Sequence, residues 1–152
     1  MTRNSLALWV LLQDRAAAGR QLAAGALARY RKKRDVLVLA IAPGGVPVAD
    51  EIAEFLHAAL DVIAVCPLAM PHNSAAVFGA IATGGAHALD ADVVSALDLS
   101  DETIDAACAT GEADVARLTR SYRGDRLPPE LFRQRVILVD EGVDAVATVH
   151  AG

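Results

Sequence analysis

The stretch that most constrains the fold of this chain lies near its end, Val136-Ile137-Leu138-Val139-Asp140-Glu141-Gly142. Four aliphatic residues in succession, closed by two carboxylates and a glycine, read as a buried parallel strand. Its acids then stand at the C-terminal edge of the strand, where open α/β sheets bind ligands. The preceding chain is expected to build a sheet around it.

The composition fits that expectation. Hydrophobic residues make up 54% of the 152 residues and aromatic residues only 4%, so the core is packed from Ala, Val, Leu and Ile. That suits helices laid on a sheet better than an aromatic-rich sandwich. The length suggests one domain, residues 12 to 152, behind a lead segment of residues 1 to 11. The net charge of −5 argues against a nucleic-acid or anionic-membrane partner. Residues 35 to 116 contain no Lys or Arg but thirteen Asp and Glu. A site built from that region alone cannot hold a polyanion by side-chain charge. Two cysteines, Cys66 and Cys108, are too few for a disulfide scaffold and point to a cytoplasmic setting. The apolar run Leu6 to Leu12 is too short to span a bilayer.

Asp14 is placed to cap an Ala-rich helix running to about Arg31, with Leu22, Ala26 and Tyr30 on its inner face. The basic run from Arg29 to Arg34 then complements the negative end of that helix. Val36 to Ala42 reads as a central strand ending at Pro43-Gly44-Gly45. Pro47 suits the first turn of a helix from about Val48 to Ala59. A second strand from Asp61 is expected to stop at Cys66-Pro67, which makes a βαβ unit with a Gly-rich first turn. Ala76 to Ala82 and Ala86 to Leu89 can pair across Thr83-Gly84-Gly85 as a small hairpin flap. After a short helix from Asp92 to Leu97, Ser100 caps a long one with the stripe Ile104, Cys108, Gly111, Val115, Leu118 and Tyr122. Cys66 at a strand end is a nucleophile or an inert thiol, and no paired base is evident beside it. The histidines show no metal-ligand spacing, so no protein metal site is expected.

Read in order, several segments resemble the type I phosphoribosyltransferases, in particular a bacterial group of phosphoribosyltransferase-like proteins. They are Leu12-x-Asp14-Arg15 with Ala18-Gly19-Arg20-x-Leu22, Gly44-Gly45-Val46-Pro47-Val48, Leu60-Asp61-Val62, Gly79-Ala80-Ile81-Ala82 with Gly84-Gly85, Asp92-Val93-Val94, Tyr122-Arg123-Gly124 and Val136 to Asp140. The resemblance implies an α/β fold with a mostly parallel sheet flanked by helices. That sheet binds 5-phosphoribosyl 1-diphosphate, with Mg2+ as the cofactor of an active member. By position, Asp140 and Glu141 match the acid pair that accepts hydrogen bonds from the ribose hydroxyls. Thr148 matches the last threonine of the 5-phosphate loop, and Gly44 and Gly45 match the turn that holds the diphosphate. Arg123 and Arg126, the cations before the last strand, are candidate anion contacts. No catalytic residue is assigned.

The sequence departs from the family pattern where charge and phosphate contacts are needed. Glu141 replaces the commoner Asp, and Ala145 and Val146 stand where Thr and Gly are usual. Ala42-Pro43-Gly44-Gly45 lacks the usual Arg, Cys66-Pro67 stands in place of Arg-Lys, and Ala75 in place of a Glu. An ion pair at ~4 Å is worth at most about 4 kcal/mol at an effective dielectric of about 20. Losing part of that at two or three positions removes several orders of magnitude of affinity for a polyanion. Related chains continue for a further helix and strand beyond the position of Gly152, so the resemblance implies a shortened C-terminus and an incomplete C-terminal end. A partner chain or a second copy is then expected to cover that end. Two readings follow. One is a silent member, a pseudoenzyme, that keeps a remnant ribose-phosphate site and acts as a binding or pairing subunit. The other is an active Mg-dependent enzyme transferring ribosyl 5-phosphate to a nitrogenous base.

Overall fold

The Asp14 carboxylate accepts a 2.7 Å hydrogen bond from the Ala17 amide and starts the first helix as its capping preference predicts. The computed structural model describes residues 14–70 and 72–142; the lead segment, Thr148 and the expected incomplete end lie outside these residues. Packing divides the chain into two units, Met1–Asp61 with Pro128–Glu141, and Val62–Leu127 with Gly142–Gly152.

The first unit contains helix α1 (Arg15–Ala24), a 3-10 turn (Ala28–Tyr30), strand β1 (Val36–Ala42), helix α2 (Val46–Leu56) and strand β5 (Arg135–Val139). All seven residues of β1 are buried, as expected of a continuous apolar run covered on both faces. It pairs in parallel with β5, Val36 opposite Arg135 and Ala40 opposite Val139. Helix α2 buries Val48, Ala49, Ile52, Ala53 and Leu56, a stripe of helical period facing the core.

Two expectations for this unit are corrected. Helix α1 ends at Ala24 and its buried residues are Gly19 and Ala23, whereas Leu22 is 45% exposed. The reason is close approach: a Cβ on Gly19 would lie 2.5 Å from the Val48 carbonyl oxygen and 2.8 Å from Glu51 Cβ. Gly19 lets α1 approach α2, and Arg20 Nη1 donates to Glu51 Oε1 across the same contact. The basic run accordingly lies beyond the helix, with Arg29 over the Tyr30 ring and Arg31 over the Phe55 ring. Strand β5 has the expected span but is not uniformly buried. Val139 is 6% exposed, while Val136 and Leu138, on one face, are 42% and 40% exposed. Among the described residues β5 is an edge strand, paired with β1 alone.

The second unit contains most of β2 (Ala59–Met70), then β3 (Asn73–Ala82), β4 (His87–Leu89), α3 (Ala91–Ala96) and α4 (Asp101–Arg123). Strand β2 does not stop at Cys66-Pro67. It continues antiparallel to β3 with Pro67 opposite Ala80, and the ladder slips register just beyond, at Leu68, Ala69 and Met70. Proline is tolerated in a strand beside such an irregularity. The expected hairpin forms, with Gly84 at φ 93 and Gly85 at φ 82 and the Ala82 amide donating to the Ala86 carbonyl at 2.8 Å. It is not a flap, because β3 is hydrogen-bonded to β2 along its length. Ser100 caps α4 by accepting from the Thr103 amide. The α4 stripe closes over Ala64, Leu68, Phe78 and Ile81, and Gly111 lets it approach. A Cβ there would meet Ile81 Cγ2 at 2.6 Å and Leu68 Cδ2 at 3.0 Å. Among the described residues no helix is long and apolar enough to cross a membrane.

Candidate functional site

Two parallel strands of the first unit end side by side, and their C-terminal ends bring candidate residues together. Strand β1 leaves through Pro43-Gly44-Gly45, after a cis Ala42-Pro43 peptide, straight into α2. Strand β5 leaves through Asp140-Glu141. The turn and the acids touch. A Cβ on Gly45 would overlap the Val139 carbonyl oxygen, and would lie 2.7 Å from the Ile41 carbonyl and 3.0 Å from Asp140 Cα. A Cβ on Gly44 would fall on the carboxylate of Glu141. Gly45 is therefore required by packing against the backbone at the two strand ends, while at Gly44 only the movable Glu141 side chain stands in the way. The Gly45 amide is engaged with the Ile41 carbonyl at 2.8 Å, and its own carbonyl accepts from Ala49 at 2.9 Å.

Asp140 Oδ1 accepts from the Glu141 amide at 2.9 Å. The Glu141 carboxyl is held below the usual glutamate range, first by a hydrogen bond with the Asp140 side chain. Partial burial pushes it up, while its own backbone amide and the Arg15 guanidinium pull it down. Arg15 Nη2 lies 3.7 Å from Glu141 Oε1. In the sequence Arg15 stands only within the Leu12-x-Asp14-Arg15 segment, with no site role attached; its place beside an acid more than a hundred residues away has no local signal.

Four of the sequence-derived site residues, Gly44, Gly45, Asp140 and Glu141, are thus brought together. Thr148 lies outside the described residues. Arg123 and Arg126 belong to the second unit. Arg123 is buried and donates to the Val62 carbonyl at 3.0 Å. Arg126 donates through Nε to the Arg123 carbonyl at 3.1 Å and through Nη2 to the Tyr122 carbonyl at 3.3 Å. It binds the C-terminal carbonyls of α4, as cations commonly do. With Arg120, Thr83, Gly84 and Gly85 the two arginines line an open cleft of about 420 Å³.

Thr83 is another residue the sequence did not single out. Its hydroxyl accepts from the Ala64 amide at 2.9 Å and lies 3.0 Å from the Thr119 hydroxyl, tying β2 to α4. At Cys66 burial, then Asp114, pushes the thiol pKa up, against a smaller pull from Arg117, which disfavours the thiolate. Among the described residues no group of three or more His, Cys, Asp or Glu could hold a metal ion. The two carboxylates alone do not make a magnesium site, and any Mg2+ would rely on ligand phosphates and water for its remaining positions.

No protein-family model matches the chain. It is 38% identical over 143 residues, 93% of its length, to the "Putative phosphoribosyl transferase" of two strains of Mycobacterium tuberculosis. The chain spans about a third of the length of these curated relatives (31%). The crystal structure of TT1426 from Thermus thermophilus matches with a TM-score of 0.63 and 30% sequence identity, over 92% of this chain and 65% of that one. The fold is therefore α/β, and the two curated relatives to which the chain is similar are named phosphoribosyl transferases.

Proposed function

We propose that this chain carries a ribose-phosphate site that binds 5-phosphoribosyl 1-diphosphate and turns it over slowly or not at all. The observation that carries the reading is the contact between the Asp140-Glu141 pair at the end of β5 and the Gly44-Gly45 turn at the end of β1. Adjacent carboxylates at parallel strand ends suit a diol, and a turn without side chains lets a diphosphate approach backbone. The names of the two mycobacterial relatives point the same way.

Weak turnover follows from what is missing. The turn after β1 has Pro43 where the resemblance implies an Arg, and Cys66-Pro67 supplies no cation. A diphosphate leaving group needs such charge to stabilise its departure. Mg2+ carried by the ligand would supply part of that stabilisation. The same reading takes the chain as a binding or pairing subunit of the cytosol. The half-exposed Val136 and Leu138 on the edge strand support pairing with a second copy. Sedimentation at micromolar concentration that shows only monomer would remove that part. Diphosphate release in the presence of nitrogenous bases separates the silent reading from an active enzyme: steady release abolished by Asp140→Asn would establish activity.

A further inference from the structure

The place beside Gly44 is held by the chain's own anion. The Glu141 carboxylate rests on the Gly44 Cα so closely that a Cβ there would coincide with it. Its Oε1 faces the Arg15 guanidinium at 3.7 Å. Arg15 is the first residue of α1, and the Asp14 cap fixes where that helix begins. Three separated segments, the start of α1, the turn after β1 and the end of β5, therefore converge on one carboxylate. The Arg15 side chain is 60% exposed, so it can turn to a new partner without unpacking the core.

An exposed Arg–carboxylate pair is held weakly. A guanidinium fork matches phosphoryl oxygens at least as well as a carboxylate, and two phosphoryl groups bring more charge. The turn after β1 has no cation of its own, with Pro43 directly before Gly44. Arg15 is the cation that the structure places at Glu141 instead.

We propose that Arg15 and the Gly44 turn form an oxyanion subsite occupied by the Glu141 carboxylate, and that a diphosphate group binds by displacing that carboxylate onto a neighbouring position and pairing with Arg15. The displaced carboxylate becomes free to accept ribose hydroxyls. The inference rests on the ribose-phosphate reading only for the identity of the natural ligand; the subsite chemistry is that of a diphosphate, free or attached to a sugar.

Calorimetric titration with inorganic diphosphate tests it. Glu141→Gln removes the competing charge and is expected to tighten diphosphate binding about fivefold. Arg15→Gln is expected to weaken it about tenfold, and Arg15→Lys to recover part of that loss. The double variant should bind no better than Arg15→Gln alone. Diphosphate binding that ignores Arg15, binding weakened by Glu141→Gln, or no binding to either wild type or Glu141→Gln overturns the proposal. Titration with 5-phosphoribosyl 1-diphosphate separates it from the reading on which it builds. Binding lost in Asp140→Asn but unchanged in Arg15→Gln leaves the ribose site standing and removes this subsite. Diphosphate binding that tracks Arg15 and Glu141, while the sugar diphosphate ignores Asp140→Asn, does the reverse.

Discussion

The carboxylate of Glu141 lies on the Cα of Gly44, in the space that any side chain at position 44 would fill. That one contact joins the exit of β5 to the exit of β1. It also separates two glycines that look equivalent in sequence. At Gly44 the obstacle is the far end of a flexible side chain; at Gly45 it is the backbone of Val139 and Ile41. Gly45→Ala is therefore expected to cost about 2–3 kcal/mol and Gly44→Ala about 1 kcal/mol or less, since overpacking costs most where nothing can yield. Urea denaturation of the two variants checks the order.

Gly111→Ala sets helix propensity against packing. Alanine favours a helix interior by about 1 kcal/mol over glycine, but the new methyl would meet Ile81 at 2.6 Å. Ile81 is 1% exposed and sits in the cluster with Phe78, so it cannot step aside freely. Overpacking of about 1–3 kcal/mol should win, and the variant should melt below wild type.

How much of this was legible depended on whether the signal was local. The apolar run of β1, Pro47 in the first turn of α2, the Ser100 cap and the Gly84-Gly85 hairpin all lie within a few residues of the structure they specify, and each was readable. The face of α1 was not. Its buried residues are Gly19 and Ala23, with α2 approaching closely at Gly19, and hydrophobic periodicity weighs large residues such as Leu22 instead. Pro67 was misleading for a similar reason: a missing amide looks like a strand end, yet the ladder absorbs it by slipping register. Asp140, Glu141, Gly44 and Gly45 stand out as motif positions, and the structure places them in contact. Arg15 does not stand out, because pairing between residues 15 and 141 is a property of the fold.

The pH response of Glu141 has a definite sign. Its folded pKa lies below its usual value, chiefly through the hydrogen bond with Asp140. A hydrogen bond between two carboxyl groups needs a proton held between them. The stabilisation present above the unfolded carboxyl's titration range is therefore that from the Glu141 backbone amide and Arg15, and it is lost as pH falls through the folded value. Glu141→Gln should be less stable than wild type at neutral pH, by under about 1 kcal/mol after solvent screening. The gap should close in acid. Paired thermal melts from neutral pH down to the acid limb measure it, and a gap that widens in acid contradicts the assignment.

Cys66 should behave as a sluggish thiol. Burial and the nearby Asp114 carboxylate both raise its pKa, which lowers the thiolate fraction available to electrophiles. Alkylation by iodoacetamide at neutral pH is expected to run slower than that of a free cysteine, and Asp114→Asn to speed it modestly. Fast alkylation of Cys66 in the folded protein would reopen a nucleophilic role.

The ribose-phosphate site itself is tested most directly by calorimetric titration of the chain with 5-phosphoribosyl 1-diphosphate in the presence of Mg2+, beside Asp140→Asn. Asp140 and Glu141 at the end of β5 predict saturable binding to wild type and a loss of about tenfold or more in the variant. Equal binding to both proteins, or none to wild type, would contradict a ribose site at these acids.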